Sequence, residues 1–226
     1  MIDTSTVQRP RPLWPTSLLC LLILSGLLWG IARLTRGFEV WTYEDLRRAR
    51  VAEGLVAAPA LALRDTQGRP WPVFDPASAT QRKAVYLVDF IYTSCPSVCS
   101  ALGSEYAQMQ AALQASVTPL GGPPVRLLSI SIDPVHDGTS ELAGYARLHR
   151  ADPSVWTITA PADAAAGSRL QRRLGIVAID DGFGGVLHNG AIQLIDGGGH
   201  VRRVFDYSQW PQALAAARAL TLKEPG

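Results

Sequence analysis

Cysteine is scarce in this chain. There are three in 226 residues, at positions 20, 95 and 99, too few for a disulfide-stapled scaffold. No CxxC pair and no recurring HxxxH offers the ligand spacing of a structural zinc site. Charge is sparse too: charged residues make up 18% of the sequence, and 21 basic against 19 acidic side chains leave a formal net charge of +2. No basic run is interleaved with aromatic residues, so nucleic acid is not an expected partner. Internal repeats and low-complexity segments are missing as well. What is present is a 47% hydrophobic composition, enough to bury a core, and 20 glycines and 16 prolines that imply many turns. The length fits one domain of ordinary size plus an appendage.

The appendage is amino-terminal. From Leu13 to Ala32 no residue is charged, and the stretch ends at Arg33. A helix of that length rises roughly 30 Å, the thickness of a hydrocarbon core. Arg9 and Arg11 precede it, as in an export signal or signal anchor. Gly30 and Ala32 have the small-residue spacing that signal peptidase accepts, so the expectation is an export helix, either cleaved or retained. Cys20 follows Leu18 and Leu19, without the small residues of a lipoprotein site, and reads as apolar filler. Counting arginines favours the opposite orientation, with Arg33, Arg36, Arg47, Arg48 and Arg50 after the segment and two before it. Its extreme amino-terminal position, the basic lead and the large domain that follows favour export instead. The division expected is a lead over 1–12, a transmembrane helix over 13–32, a linker over 33–57 and a domain over 58–226.

Within the domain, strand and helix signals alternate. Ala84–Tyr92 (AVYLVDFIY) and Val125–Ile132 (VRLLSISI) are continuous apolar runs of the kind covered on both faces of a sheet. Ala60–Leu63 and Trp71–Phe74 flank a Gln-Gly-Arg-Pro turn, and Val155–Thr159 is a further short strand. Ala191–Ile195 and Val201–Phe205 flank a glycine turn. Helices are expected over Val98–Ala115, from a cap at Thr139 or Ser140 to about Arg150, over Ala162–Leu174 ended by Gly175, and from Ser208 to Leu222. The pattern predicts an α/β fold, a thioredoxin-like central sheet with helices on both faces.

The most informative stretch is Asp89-Phe-Ile-Tyr-Thr-Ser-Cys95-Pro-Ser-Val-Cys99. A buried strand ends near Tyr92 and a helix begins near Pro96. Proline suits the first helical position and disfavours a helical backbone before it, so Cys95 is expected at the cap and Cys99 one turn in, on the same side. The positive end of the helix dipole favours thiolate at both positions. Two such sulfurs close a disulfide or clamp a soft metal ion. CxxxC leaves more room between them than the CxxC of thiol redox proteins, and spacing alone does not choose.

Thr93-Ser-Cys95-Pro-Ser-Val-Cys99, together with Ser129-Ile-Ser-Ile-Asp133-Pro-Val-His-Asp137 and Val186-Leu-His188-Asn-Gly-Ala-Ile-Gln-Leu-Ile-Asp196, resembles the SCO/SenC family over about Ala58 to Leu222. The resemblance implies a membrane-anchored copper-binding protein that helps build the dinuclear copper site of cytochrome c oxidase. It implies Cys95, Cys99 and His188 as ligands of Cu(I) or Cu(II), with one of Asp133 and Asp137 beside the metal's ligands or in partner docking. The alternatives are a hydrogen-bonded loop histidine at 188, and an Asp-Pro turn with an exposed carboxylate at 133–137. His136 is the substitute ligand; His149 and His200 are expected on the surface. The chain departs from the family at Ser97, where an acidic residue is common, and at Ser100, where proline is. Its segment before His188 is short and glycine-rich (Asp180–Gly185), and is expected to be a mobile loop that brings the imidazole onto the metal.

Two functions of different classes follow. The first is a copper chaperone without turnover of its own, held at the bacterial inner membrane with its domain on the periplasmic side. Its partners would be the oxidase copper subunit and other copper chaperones. The second is a thiol-disulfide oxidoreductase that reduces the client's cysteines, with Cys95 attacking and Cys99 resolving. A peroxidase of the same fold is weaker, since Thr93 is present but no activating arginine is placed by sequence.

Overall fold

The computed structural model describes residues 14–75, 77, 84–94, 98–116, 125–180, 186–188 and 191–223, with backbone alone at 98–101, 180, 186–188 and 223. The chain divides into two compact units, Met1–Ala49 and Arg50–Gly226.

The first unit is dominated by α1 (Trp14–Leu34), 21 residues with a mean hydropathy of 2.0 over its best window and no buried residue. That length and composition suffice to cross a bilayer. After a short turn, α2 (Tyr43–Ala52) begins in a reciprocal cap. The Asp45 amide donates to Thr42 Oγ1 at 3.1 Å, and the Thr42 amide donates back to Asp45 Oδ2 at 3.0 Å.

The second unit is built on a seven-stranded mixed sheet. Its strands are β1 (Leu61–Asp65), β2 (Pro70–Val73), β3 (Val85–Ile91), β4 (Val125–Ser131), β5 (Trp156–Pro161), β8 (Ile192–Asp196) and β9 (Val201–Phe205). They lie in the order β2-β1-β5-β4-β3-β8-β9. Strands β3, β4 and β5 are parallel, while β1 joins β5 and β8 joins β3 antiparallel. Every residue of β3 is buried, as the unbroken apolar run predicts for a central strand. A separate two-stranded ribbon pairs β6 (Ala178–Asp180) with β7 (Val186–His188). Three-residue strands beside glycines carry no readable periodicity, and this ribbon is absent from the expected element order.

Helices α3 (Val98–Gln114), α4 (Thr139–Leu148), α5 (Ala164–Leu174) and α6 (Trp210–Lys223) cover the sheet. Tyr106 of α3 and Tyr145 of α4 pack on the Trp156 ring, with centroids 5.5 and 6.5 Å away, which places both helices over one face. Helix α6 packs beside α3 and against β3 and β8. Helix α5 lies over the other face, where Gly167 approaches Pro161. Asp163 caps α5, its Oδ1 accepting from the Ala166 amide at 2.7 Å, and Gly175 ends it in the left-handed conformation at φ 67°. Trp156, Tyr106, Leu87, Leu127 and Met109 are at most 1% exposed, and each such side chain contributes roughly 1.5–3 kcal/mol of burial.

Two local expectations are corrected. Helix α4 is capped by Gly138 without a side-chain bond, and Ser140 Oγ instead meets Glu141 Oε1 at 2.7 Å. His149, expected on the helix surface, is half-buried at the end of α4. Its ring lies 4.5 Å from that of Tyr145 and 6.2 Å from that of Trp156. A Cβ at Gly103 of α3 would come within 2.3–2.6 Å of the imidazole, so only a residue without a side chain admits it there. Burial holds the His149 pKa below the ordinary imidazole value. His200 is exposed, as expected.

Candidate metal centre

The parallel strands β3 and β4 end together, and loops at the carboxyl ends of such strands are where α/β sheets carry their sites. The Ile132 amide donates to the Ile91 carbonyl at 2.8 Å, carrying the pairing one step past each strand. Beyond Ile91 the chain passes through Tyr92, Thr93 and Ser94 toward α3. Cys95 lies outside the described residues. Cys99 is the second residue of α3, described in backbone only. His188 is the last residue of β7, also in backbone only, paired with Ala178. Asp181 to Gly185, the heart of the expected mobile loop, lies outside the described residues. Strand β8 runs antiparallel to β3 with Gln193 opposite Val88. The start of β8 and the end of β3 therefore lie at the same end of the sheet.

The Asp133–Asp137 turn after β4 is described in full, and its two carboxylates behave differently. Asp137 is 1% exposed, which overturns the exposed-carboxylate alternative at that position. Its Oδ1 accepts from Thr93 Oγ1 at 2.6 Å, its Oδ2 from Ser131 Oγ at 2.6 Å, and both stand 3.2–3.3 Å from the Thr93 amide. Its main-chain carbonyl accepts from Arg64 Nη2 at 3.1 Å, and the same nitrogen donates to the Pro134 carbonyl. Asp137 thus ties the segment two residues before Cys95 to the ends of β4 and β1. Asp133 is partly exposed and turns to His136, whose Nδ1 is 2.7 Å from its Oδ2. His136 itself is 78% exposed. Among the described residues no group of three or more His, Cys, Asp or Glu side chains forms a metal cluster.

Sequence reasoning missed Arg64 and Ser131, whose role appears only through contacts 73 and 6 residues away from Asp137. It also passed over Asp89, in the middle of β3 and six residues before Cys95. Asp89 is wholly buried, and neither carboxyl oxygen has a hydrogen-bond partner. Burial pushes its pKa up to about 7, with the neighbouring Ser129 hydroxyl acting in the opposite direction. Ser129 Oγ accepts from Trp156 Nε1 at 2.9 Å. The Tyr106 hydroxyl is also buried without a partner, and burial raises its pKa, with Asp89 and Tyr145 adding to the shift. The signal for Asp89 was one carboxylate inside an otherwise apolar run.

A mixed sheet with helices on both faces, and a cysteine-bearing segment between β3 and α3, define a thioredoxin-like protein. No curated protein matches the chain. The SCO1/SenC family profile matches residues 63–222, well over half of it, and the chain belongs to that family. Among solved structures, a SCO1/SenC family lipoprotein from Bacillus anthracis str. Ames is 18% identical with a TM-score of 0.62, covering 73% of this chain and 95% of its own. BsSco, a member of the Sco family of cytochrome c oxidase assembly proteins in which a disulfide switch is identified, is 16% identical with a TM-score of 0.62, over 75% and 95%. ScoI of Bradyrhizobium japonicum, solved with copper bound, is 21% identical with a TM-score of 0.57, over 72% and 98%. At these identities the likeness speaks for the fold.

Proposed function

We propose that this protein is a membrane-anchored copper chaperone that serves the assembly of the dinuclear copper site of cytochrome c oxidase. Residues 58–226 form the copper-binding domain, and the helix over 13–32 holds it at the bacterial inner membrane with the domain on the periplasmic side. Copper is cargo. Cys95 and Cys99 supply thiolates, which suit Cu(I), and His188 supplies the imidazole that Cu(II) accepts beside sulfur. The α3 amino terminus favours the thiolate form of both cysteines. Asp137 acts through Thr93 to fix the entry to the cysteine segment, and Asp133 shapes the neighbouring turn. The metal passes to the oxidase copper subunit, or arrives from other copper chaperones, by ligand exchange. Anchoring to the client's membrane raises the effective concentration for that exchange.

The observation that supports this reading most directly is topological. Strands β3 and β8 are antiparallel neighbours, so β3 ends and β8 begins at one end of the sheet; the cysteines follow β3 in the sequence and His188 precedes β8. Family membership supplies the copper and the oxidase context. The dithiol reading stays as the competing outcome, favoured by the disulfide switch identified in BsSco. A copper titration of the full chain, followed by absorbance and thiol count, separates the two. His188→Ala is expected to lose the intense thiolate-to-Cu(II) absorption and bind copper more weakly while its dithiol still cycles. A parent protein that takes up no copper yet reduces disulfides readily would establish the oxidoreductase instead.

A further inference from the structure

The segment joining α1 to α2, expected from sequence as a linker, is folded. The Thr35 hydroxyl donates to the Ile31 carbonyl at 2.8 Å and accepts from the Phe38 amide at 3.0 Å. The Gly37 amide reaches back to Ala32 at 2.7 Å, and the Glu39 and Val40 amides reach back to Thr35 at 3.0 and 2.9 Å. Trp41 Nε1 donates to the Phe38 carbonyl at 2.7 Å, and the Trp41 amide faces Asp45 Oδ2 at 3.3 Å. These bonds link the end of α1 to the cap of α2 without a break.

Two features of this elbow have no explanation within it. Arg36, Gly37 and Phe38 are all left-handed, at φ 49°, 79° and 70°, and for a bulky aromatic residue that backbone is strained. The strain turns Phe38 onto Trp41, with ring centroids 6.0 Å apart, yet the two rings remain 47% and 65% exposed. Tyr43, at the start of α2, is 57% exposed as well. An apolar stack held by a strained turn and left open to water is disfavoured twice over.

We infer that this elbow is seated in the phospholipid headgroup region, with the Phe38–Trp41 stack as its lipid-facing surface. The inference rests on α1 spanning the membrane, and the occupant follows from chain continuity. Leu34 is the last residue of α1 and is 85% exposed, so the four residues to Phe38 leave the hydrocarbon at the interface. Tryptophan and tyrosine favour that depth because one edge is apolar and the other donates hydrogen bonds. Arg33 is exposed and lies over the Trp29 ring at 5.7 Å, and Arg36 is exposed on the turn itself; both carry charge suited to lipid phosphate. Glu39 is the one acidic side chain between Arg33 and the α2 cap.

The test uses the full chain in nanodiscs of mixed phosphatidylcholine and phosphatidylglycerol, with lipids bearing a nitroxide either near the headgroup or at mid-chain. The difference between the parent and Trp41→Phe isolates Trp41 emission, and Trp29→Phe isolates a residue of α1 in the same way. Trp41 is expected to be quenched several-fold more strongly by the shallow nitroxide than by the deep one. No lipid quenching of Trp41, or stronger quenching from mid-chain, overturns the inference. Trp29 separates the two levels of failure: if it is lipid-quenched while Trp41 is not, only the seated elbow is wrong, and if neither is quenched the spanning helix is wrong too.

Discussion

Asp137 and Asp89 are both closed off from solvent next to the same central strands, and the protein surrounds them in opposite ways. Three donors from Thr93 and Ser131 converge on the Asp137 carboxylate, so the polar cost of burial is met bond by bond and the loop before Cys95 is pinned. Neither Asp89 carboxyl oxygen makes a hydrogen bond, the Ser129 hydroxyl is its neighbour on β4, and burial pushes its pKa up to about 7. One aspartate organises structure through its hydrogen bonds; the other is a titrating group whose proton affinity is set chiefly by burial, beside the Ser129 and Tyr106 hydroxyls. A buried carboxylate in this fold is therefore not a single kind of object, and its consequence depends on who donates to it.

The largest expected effect falls on the satisfied member. Asp137→Ala leaves the Thr93 and Ser131 donors buried without an acceptor and should cost about 3–5 kcal/mol in chemical denaturation. Copper uptake should fall with it, because the cysteine segment loses its tie. A loss under about 1 kcal/mol would erase the contrast between the two residues.

Asp89→Asn should act in the other direction and with pH. The folded pKa is raised above the unfolded value, so below about pH 4 both states hold the proton and the group contributes nothing. Between about pH 4 and 7 the unfolded chain alone ionises, and the destabilisation grows as pH rises; above about 7 it is complete. The variant should be more stable than the parent by about 2 kcal/mol at pH 8, with the gain fading toward pH 4. A gain independent of pH would show that the carboxyl is not held as described.

Smaller effects sharpen the packing of His149 between α3 and the Trp156 ring. Gly103→Ala drives a methyl into the His149 ring and should cost about 1–2 kcal/mol. Combining it with His149→Ala should recover most of that loss, because the two sites share one contact, and additive losses would contradict the packing. The least effect is expected from His149 alone. Burial lowers its folded pKa, so its contribution is present above about pH 6.5 and lost as pH falls toward the folded value. Replacing His149 by Gln should flatten the melting temperature across that window, and an unchanged slope would exclude His149 as its source.

The residues that were legible in the sequence are those whose pattern is local. Strands β3 and β4 announced themselves as unbroken apolar runs, the glycine turn marked β8 and β9, and Gly175 marked the end of α5. The β6–β7 ribbon was hidden because three-residue strands beside glycines carry no period. His149 was misread because helical spacing puts it on the surface, whereas its ring turns back over Gly103, a partner 46 residues earlier in the chain. Asp137 was ambiguous because an Asp-Pro turn favours exposure, and the donors that bury its carboxylate come from the ends of β3 and β4. For the candidate site, residue types and order along the chain were readable, and the pairing of β8 with β3 shows only that β3 ends where β8 begins. Convergence of side chains depends on tertiary placement, which spacing does not encode.

The central claim is that two sulfurs and one ring nitrogen hold a single copper ion. X-ray absorption at the copper edge of the loaded full-length protein tests it most directly. The expected signal is scattering from two sulfurs together with the outer-shell pattern of an imidazole that disappears in His188→Ala. A shell of oxygen and nitrogen alone, or an imidazole pattern that survives the substitution, would contradict the account.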